Sequence, residues 1–302
     1  MKKENILVTG GYGLVGSCVS GHHRFRSNQI DLVQDHWGLQ RYLVKYDIET
    51  VIHCAGLVGG VKRNSENKAK FFHNNSIMGL NVLEASRAAG VQKVVSLLST
   101  CIFPHQGPYP LKAEMIHDGE PHPSASGYSY AKRMVEIGST LYKDQYGMKN
   151  ITISPCNVYG RGDNFAKDDA HVIAGLINRA YDAAREGKPL KVWGSGKARR
   201  EFILNRDLGR VIDLLVDEYE GDETIIVSPD EDISIGEIAI MIAGEMGAKG
   251  VEFDNSMPEG QMVKPSCNEK MKEYVDFSFT PIDIGIRETC QWFKDNYDEV
   301  RK

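Results

Sequence analysis

The chain has 302 residues, 41% hydrophobic and 25% charged, enough for one large or two modest domains with a full core and too apolar for a disordered chain. Its net charge of −5 lays down no basic footprint for nucleic acid, so an anionic ligand has to be held by a local cluster of Arg and Lys. Six cysteines, at 18, 54, 101, 156, 267 and 290, lack C-x-x-C pairing, which predicts reduced thiols in a cytoplasmic protein without a metal site. No apolar run reaches the length of a membrane span, and MKKENILVTGG enters a strand with no signal-peptide core.

Strand-like ILVTG (6–10) opens the chain and runs into Gly10, Gly13 and Gly16, then into a helix-like segment. Glycines at such a turn let the backbone approach a pyrophosphate, and a helix N-terminus adds free N–H groups and positive dipole. Only thirteen residues, Ser17 to Gln29, separate Gly16 from IDLVQD, about half of what a helix, a turn and a second strand require. The first helix or the second strand is therefore predicted to be truncated. His22, His23, Arg24 and Arg26 crowd this gap and no acidic residue ends a second strand, so Arg24 or Arg26 fits a 2′-phosphate and NADP is favoured over NAD. A solvated turn is the competing reading of the same residues.

Helix-like runs at 37–46, 74–90 and 129–146 alternate with strand-like TVIHCAG (50–56), KVVSLLST (93–100) and NITISPCNVYG (150–160). The alternation predicts an α/β fold, a Rossmann-type doubly wound parallel sheet covered by helices. After Gly160 the pattern changes to GRGDNFAKDD, a helix through 170–186 and VWGSGKARREF. A smaller C-terminal α/β substrate domain is expected there, from about 160–201 and 229–302, with 1–159 and about 202–228 forming the nucleotide-binding domain.

GYSYAKR carries Tyr128 and Lys132 at i, i+4, one face of a helix, with Ser99 upstream in LLSTCIF. A ketone accepting hydride needs a proton donor at its oxygen; Lys⁺ beside the phenol lowers its pKa, and Ser99 holds the same oxygen. The spacing alone also occurs in ordinary amphipathic helices. Cys101, two residues past Ser99, faces the same cleft if the strand continues, and His171 begins the 170–186 helix. A thiolate and an imidazole on opposite sides of a sugar can exchange protons at the carbons flanking a carbonyl, although a strand Cys and a lone helix His also serve as plain structural residues.

TGGYGLVG, AGLVGGV, STCIFP, GYSYAKRM, NVYG-x-x-DNF, AHVI, VWGSG-x-x-RREF and QWFKDNY together resemble the extended short-chain dehydrogenase/reductases, and within them the GDP-sugar epimerase-reductases. The resemblance implies epimerisation of GDP-4-keto-6-deoxy-D-mannose at carbons 3 and 5, then NADPH reduction at carbon 4, to give GDP-L-fucose. It makes Ser99, Tyr128 and Lys132 the reductase set, Cys101 the epimerisation base and His171 its acid. It lays Gly10, Gly13, Leu14, Val15 and Gly16 on the pyrophosphate, Ala55 and Gly56 on the adenosine side, and Pro155, Asn157 and Val158 on the nicotinamide. Tyr128, Lys132 and His171 touch the cofactor as well. Asn157 alternatively steadies the strand end. Arg179, Trp193, Arg200 and Lys264 match positions for the GDP-sugar, where planar Arg suits a diphosphate and Trp a flat face; Arg179 also reads as a solvated charge. Cys156 stands where the family usually has Thr, which removes a hydroxyl beside the nicotinamide.

The resemblance further implies a homodimer through 74–90 and 129–146, with Ala85, Ala88, Ala89, Ala131, Gly138 and Ser139 allowing close helix approach; against it stands the reading that these faces pack only inside their own chain. A dehydratase is disfavoured because Thr100-Cys101 replaces an acidic pair. Two competing functions stay open: a GDP-colitose type of epimerase-reductase, differing at carbon 3, and a non-catalytic NADP-binding protein.

Overall fold

The computed structural model describes residues 3–167, 169–256 and 261–301. The first strand, β1 (Ile6–Thr9), is wholly buried, and the chain beyond it forms one 3-10 turn, Gly16–Cys18, before helix α1 (His36–Lys45). Asp35 starts α1 by accepting the Gly38 N–H at 2.7 Å. Strand β2 (Thr50–His53) leads into α2 (Val61–Glu66) and the long α3 (Lys68–Ala89), which Gly90 ends at φ 78° in the left-handed region. Strand β3 (Lys93–Leu97), α4 (Ser126–Tyr146) and β4 (Ile151–Pro155) complete the first half.

The second half alternates short strands with helices: β5 (Asn157–Tyr159), α5 (Val172–Glu186), β6 (Leu190–Trp193), β7 (Arg199–Arg200), β8 (Phe202–Leu204), α6 (Asn205–Glu218) and β9 (Ile225–Val227). Then come β10 (Ile233–Ser234), α7 (Ile235–Met246), β11 (Val251–Asp254), α8 (Glu269–Tyr274) and α9 (Ile282–Asp295).

A five-stranded parallel sheet runs β1-β2-β3-β4-β9. Alternation along the strands gives it two faces. Leu7, Val51 and Val94 pack with Leu39, Leu43, Val82 and Leu83 of α1 and α3, whereas Ile6, Val8, Ile52 and Val95 pack with Leu208, Val211, Ile212 and Leu215 of α6. Helices thus cover both faces, as a Rossmann-type sheet requires. A second core joins Ile173, Leu176 and Ile177 of α5 to Ile238 and Ile242 of α7 and to Ile286 and Phe293 of α9.

Three departures from the sequence reading matter for the site. First, both the first helix and the second strand are missing, so β1 lies at the sheet edge; what remains is a parallel bridge from Leu7 to His23, with Val8 N–H donating to His23 O at 2.9 Å and His23 N–H to Ile6 O at 3.1 Å. Second, the 150–160 run is two strands. Pro155 belongs to the main sheet and Asn157 to the β5–β8 pair, with buried Cys156 between them donating its N–H to Val227 O at 3.0 Å. Third, Ala85, Ala131, Gly138 and Ser139 are turned into the chain's own packing, while Ala88 is exposed. A Cβ on Gly138 would sit 3.0 Å from Leu83 Cδ1, and one on Gly79 2.2 Å from Val135 Cγ2, while Ala85 and Ala131 are fully buried.

Candidate active site

Strand β3 stops at Leu97 because Ser99 caps a 3-10 turn over Thr100–Ile102, its Oγ accepting the Cys101 N–H at 3.2 Å. Ser99 and Cys101 therefore do not share a face by strand alternation; Cys101 sits inside the turn, with its side chain partly exposed. Helix α4 holds the turn from below: Ser129 Oγ donates to Cys101 O at 2.8 Å and Arg133 Nε to Ile102 O at 2.7 Å.

Tyr128 and Lys132 share a face of α4, with Lys132 Nζ 5.9 Å from the Tyr128 ring centroid. The expected lowering of the phenol pKa is not what this geometry produces. Burial pushes Tyr128 upward and the nearby Cys101 adds to the push, while Lys132 spends its ammonium on Leu97 O at 2.7 Å. Burial also brings Lys132 itself down to about 8. Behind it lies a pair that sequence reasoning missed: buried His53, whose Nδ1 is 2.8 Å from Thr9 Oγ1, is driven down to about 3 by burial and then by the Lys132 charge. Asn75 of α3 was also missed. Its Oδ1 accepts Leu57 N–H at 2.9 Å and its Nδ2 donates to Leu57 O at 3.1 Å, fixing the Ala55–Leu57 loop; a Cβ on Gly56 would come 4.0 Å from Lys132 Nζ. An Asn buried within a helix was the available signal, since it needs a partner to justify its place there.

Cys101 lies within electrostatic reach of Tyr128, Arg200 and Lys264. Burial lowers the pKa of both Arg200 and Lys264. The neighbouring Arg199 turns away and is held by Asp232 at 2.7 Å and Glu237. Arg179 stacks toward Trp193 at 5.9 Å from the ring centroid, keeps a buried Nε without a partner among the described residues, and has its pKa lowered by burial. A half-buried guanidinium with unspent donors beside an indole that is 54% exposed suits a nucleoside diphosphate.

His171 belongs to a second cluster. It precedes α5, and its Nδ1 lies 3.4 Å from Asp163 Oδ1; that hydrogen bond raises its pKa against the opposing effect of burial. Asp163 is buried and its Oδ2 has no partner among the described residues. Asp169, which also acts on His171, pairs with Arg63 and accepts the Gly60 N–H. Among the described residues no hydrogen bond joins His171 to Cys101 or Tyr128. Asp163 hid in DNF, where the sequence pattern shows only a turn. Asp163→Asn is expected to move the alkaline limb of any His171-dependent rate to lower pH, because the raised pKa keeps the imidazolium present at higher pH and the variant loses that support. An unchanged pH–rate profile counts against this pairing.

The glycine turn fits a dinucleotide. Gly10 has φ 65°, a Cβ there would meet Ala55 N at 2.7 Å, and one on Gly16 would meet Gly10 O at 2.4 Å, so only bare backbone closes the cradle. Leu14 O accepts from Asn205 Nδ2 at 2.9 Å, and Val15 packs on the first core. The helix expected after the turn is absent, and Gly209 of α6 packs against Cys18 instead. At the far end Pro155 pairs with Val227, Val158 packs on the core, and Asn157 Nδ2 donates to Glu201 O at 2.9 Å, the strand-steadying role. Arg24 does not project outward as expected for a 2′-phosphate ligand; it folds onto the turn's carbonyls. Arg26 lies over the exposed Tyr12 ring at 4.3 Å. An open cleft of about 440 Å³ lined by Arg161, Arg287, Glu288 and Trp292 contains none of these groups, and the chemistry of the side chains outweighs its size.

The model of the family described as "NAD dependent epimerase/dehydratase family" matches residues 19–236. The chain belongs to that family. A GDP-L-fucose synthase from Dictyostelium discoideum is 40% identical, with 99% of this chain and 98% of the relative covered. A GDP-L-colitose synthase from Yersinia pseudotuberculosis is 31% identical over 95% and 97%. Among solved structures, the GDP-L-fucose synthetase of Naegleria fowleri bound to NADP superposes with a TM-score of 0.92 at 32% identity, covering 100% of this chain and 98% of that one.

Proposed function

We propose that this protein is a bifunctional 3,5-epimerase and NADPH-dependent 4-reductase that converts GDP-4-keto-6-deoxy-D-mannose into GDP-L-fucose. The observation that carries the reading is that α4 brings Tyr128 and Lys132 against the turn holding Ser99 and Cys101, through Ser129 Oγ on Cys101 O and Lys132 Nζ on Leu97 O, with Arg200 and Lys264 within electrostatic reach of Cys101. NADPH, when bound, supplies the hydride to carbon 4. Cys101 Sγ takes the proton from carbon 3 and then from carbon 5, and at each carbon His171 delivers a proton to the opposite face, both groups returning to their starting states by exchange with solvent. Ser99 Oγ and Tyr128 Oη hold the carbon 4 oxygen while negative charge builds on it, with Arg200 and Lys264 nearby as cations. The upward shift of Tyr128 keeps its proton in place at neutral pH, as a donor requires. Arg179 and Trp193 bind the GDP, residues 1–159 and about 202–228 serve the nucleotide cofactor, and about 160–201 with 229–302 serve the sugar nucleotide.

The test is to supply the keto-sugar with NADPH in deuterated water. Consumption of NADPH with deuterium at carbons 3 and 5 is expected; reduction without deuterium at either carbon leaves a simple reductase. The Yersinia relative motivates a second reading, in which a 3-deoxy keto-sugar is the substrate. Faster turnover of that compound decides for it.

The protein is also proposed to act in the cytoplasm, its cysteines free, and to form a homodimer. The dimer reading rests on the apolar strip that α3 and α4 leave outward, Phe72, Tyr130, Ile137 and Leu141, the last two 45% and 58% exposed. A species near twice 33.7 kDa is expected by light scattering. Ile137→Glu combined with Leu141→Glu should give monomer with its melting temperature kept, and a monomeric wild type removes the proposal. Gly138 is not part of that strip, since it faces Leu83 of its own chain.

A further inference from the structure

In a helix continuing from the glycine turn, the carbonyls of Gly16 and Val19 accept N–H groups four residues on, and the first-turn N–H groups present about half a positive charge to a pyrophosphate. Here the backbone makes only a short turn, with Ser17 N–H on Gly13 O at 3.1 Å and Cys18 N–H on Val15 O at 2.9 Å, and leaves helical geometry after Cys18, so no further turns build a macrodipole behind it. Arg24 is placed to do both. Its Nη1 donates to Gly11 O at 2.8 Å and Gly16 O at 2.5 Å, and its Nη2 to Val19 O at 2.6 Å. The side chain lies directly against the turn, since a Cβ on Gly11 would be 2.8 Å from Arg24 Cγ. Its charge reaches Cys18 on one side of the turn and Cys54, at the end of β2, on the other. A guanidinium bonded to neutral carbonyls keeps its whole charge.

We propose that Arg24 replaces the missing helix as a positioning residue, fixing the glycine turn and supplying the positive charge for the cofactor's pyrophosphate, and that Arg26, stacked on Tyr12 at the exposed rim, is left to recognise the 2′-phosphate. This rests on the dinucleotide reading of the site and not on the sugar chemistry, so binding is measured without sugar. Equilibrium titrations with NADPH, NADH and 2′,5′-ADP separate the two arginines. Arg24→Met is expected to weaken NADPH and NADH alike, by about tenfold or more, keeping their ratio within about twofold. Arg26→Ala should weaken NADPH and 2′,5′-ADP and spare NADH. Arg24→Lys keeps the charge but not the fork, and should recover part of the affinity for both dinucleotides. If Arg24→Met does not fold, Arg24→Lys decides by the same ratio. Selective loss of NADPH on changing Arg24, or no loss of either cofactor, overturns the proposal. Wild type that binds neither dinucleotide overturns the cofactor site itself, whereas absent sugar turnover with intact binding leaves the Arg24 result standing.

Discussion

Tyr128→Phe is expected to lower reduction at carbon 4 by about 10²–10⁴-fold, the usual contribution of a positioned acid, while solvent deuterium continues to enter carbons 3 and 5. The change removes one oxygen and leaves the ring. The rest of the cluster is held without that oxygen: Lys132 is anchored on Leu97 O, and the Thr100–Ile102 turn is held by Ser99, Ser129 and Arg133. Burial of the phenol, which holds its proton, is the physical reason to expect an acid there. Single-turnover reduction with deuterium counting by mass spectrometry measures both halves at once. Reduction at near wild-type rate by the Phe variant means that the donor at carbon 4 is another group.

Cys101→Ser should give the opposite profile. A serine hydroxyl is far less acidic than a thiol, so proton removal at carbons 3 and 5 falls by about 10²-fold or more, while reduction of an already epimerised keto-sugar survives. The turn should tolerate the exchange, because its bonds to Ser99 and Ser129 use the Cys101 backbone N–H and C=O and not the thiol. Full deuterium exchange by the Ser variant removes Cys101 from the chemistry. Paired with Tyr128→Phe, it tests whether one cluster performs two separable reactions.

The parallel sheet and the helices over it were readable because both patterns are local: alternation for strands, and the i, i+4 pairing that puts Tyr128 and Lys132 on one face of α4. The gap after Gly16 was readable as a count of residues. The count did not say where the arginines would point. Arg24 turns inward because carbonyls stripped of helical donors attract a fork of N–H groups, a consequence of the missing helix that no local pattern encodes. Asp163 beneath His171, His53 against Thr9 and Asn75 under the Ala55–Leu57 loop escaped for a related reason. Each is a polar residue whose partner becomes visible only when distant segments meet. Ser99 misled in a smaller way. A strand pattern running to Thr100 concealed a serine that ends the strand by capping the next turn, and residues able to do this compete with extended structure wherever they stand.

Strand β1, placed at the rim of the sheet, would by itself offer open backbone groups to the strand of another molecule. The segment left behind by the lost helix and strand blunts that invitation. His23 occupies the outward Val8 N–H and Ile6 C=O, His22 N–H donates to Lys3 O at 3.1 Å, and the chain then veers off through Arg24 and Arg26. One bridge flanked by bulky, basic residues is too short to continue as a ladder, so the shortened sheet keeps its rim from templating self-association.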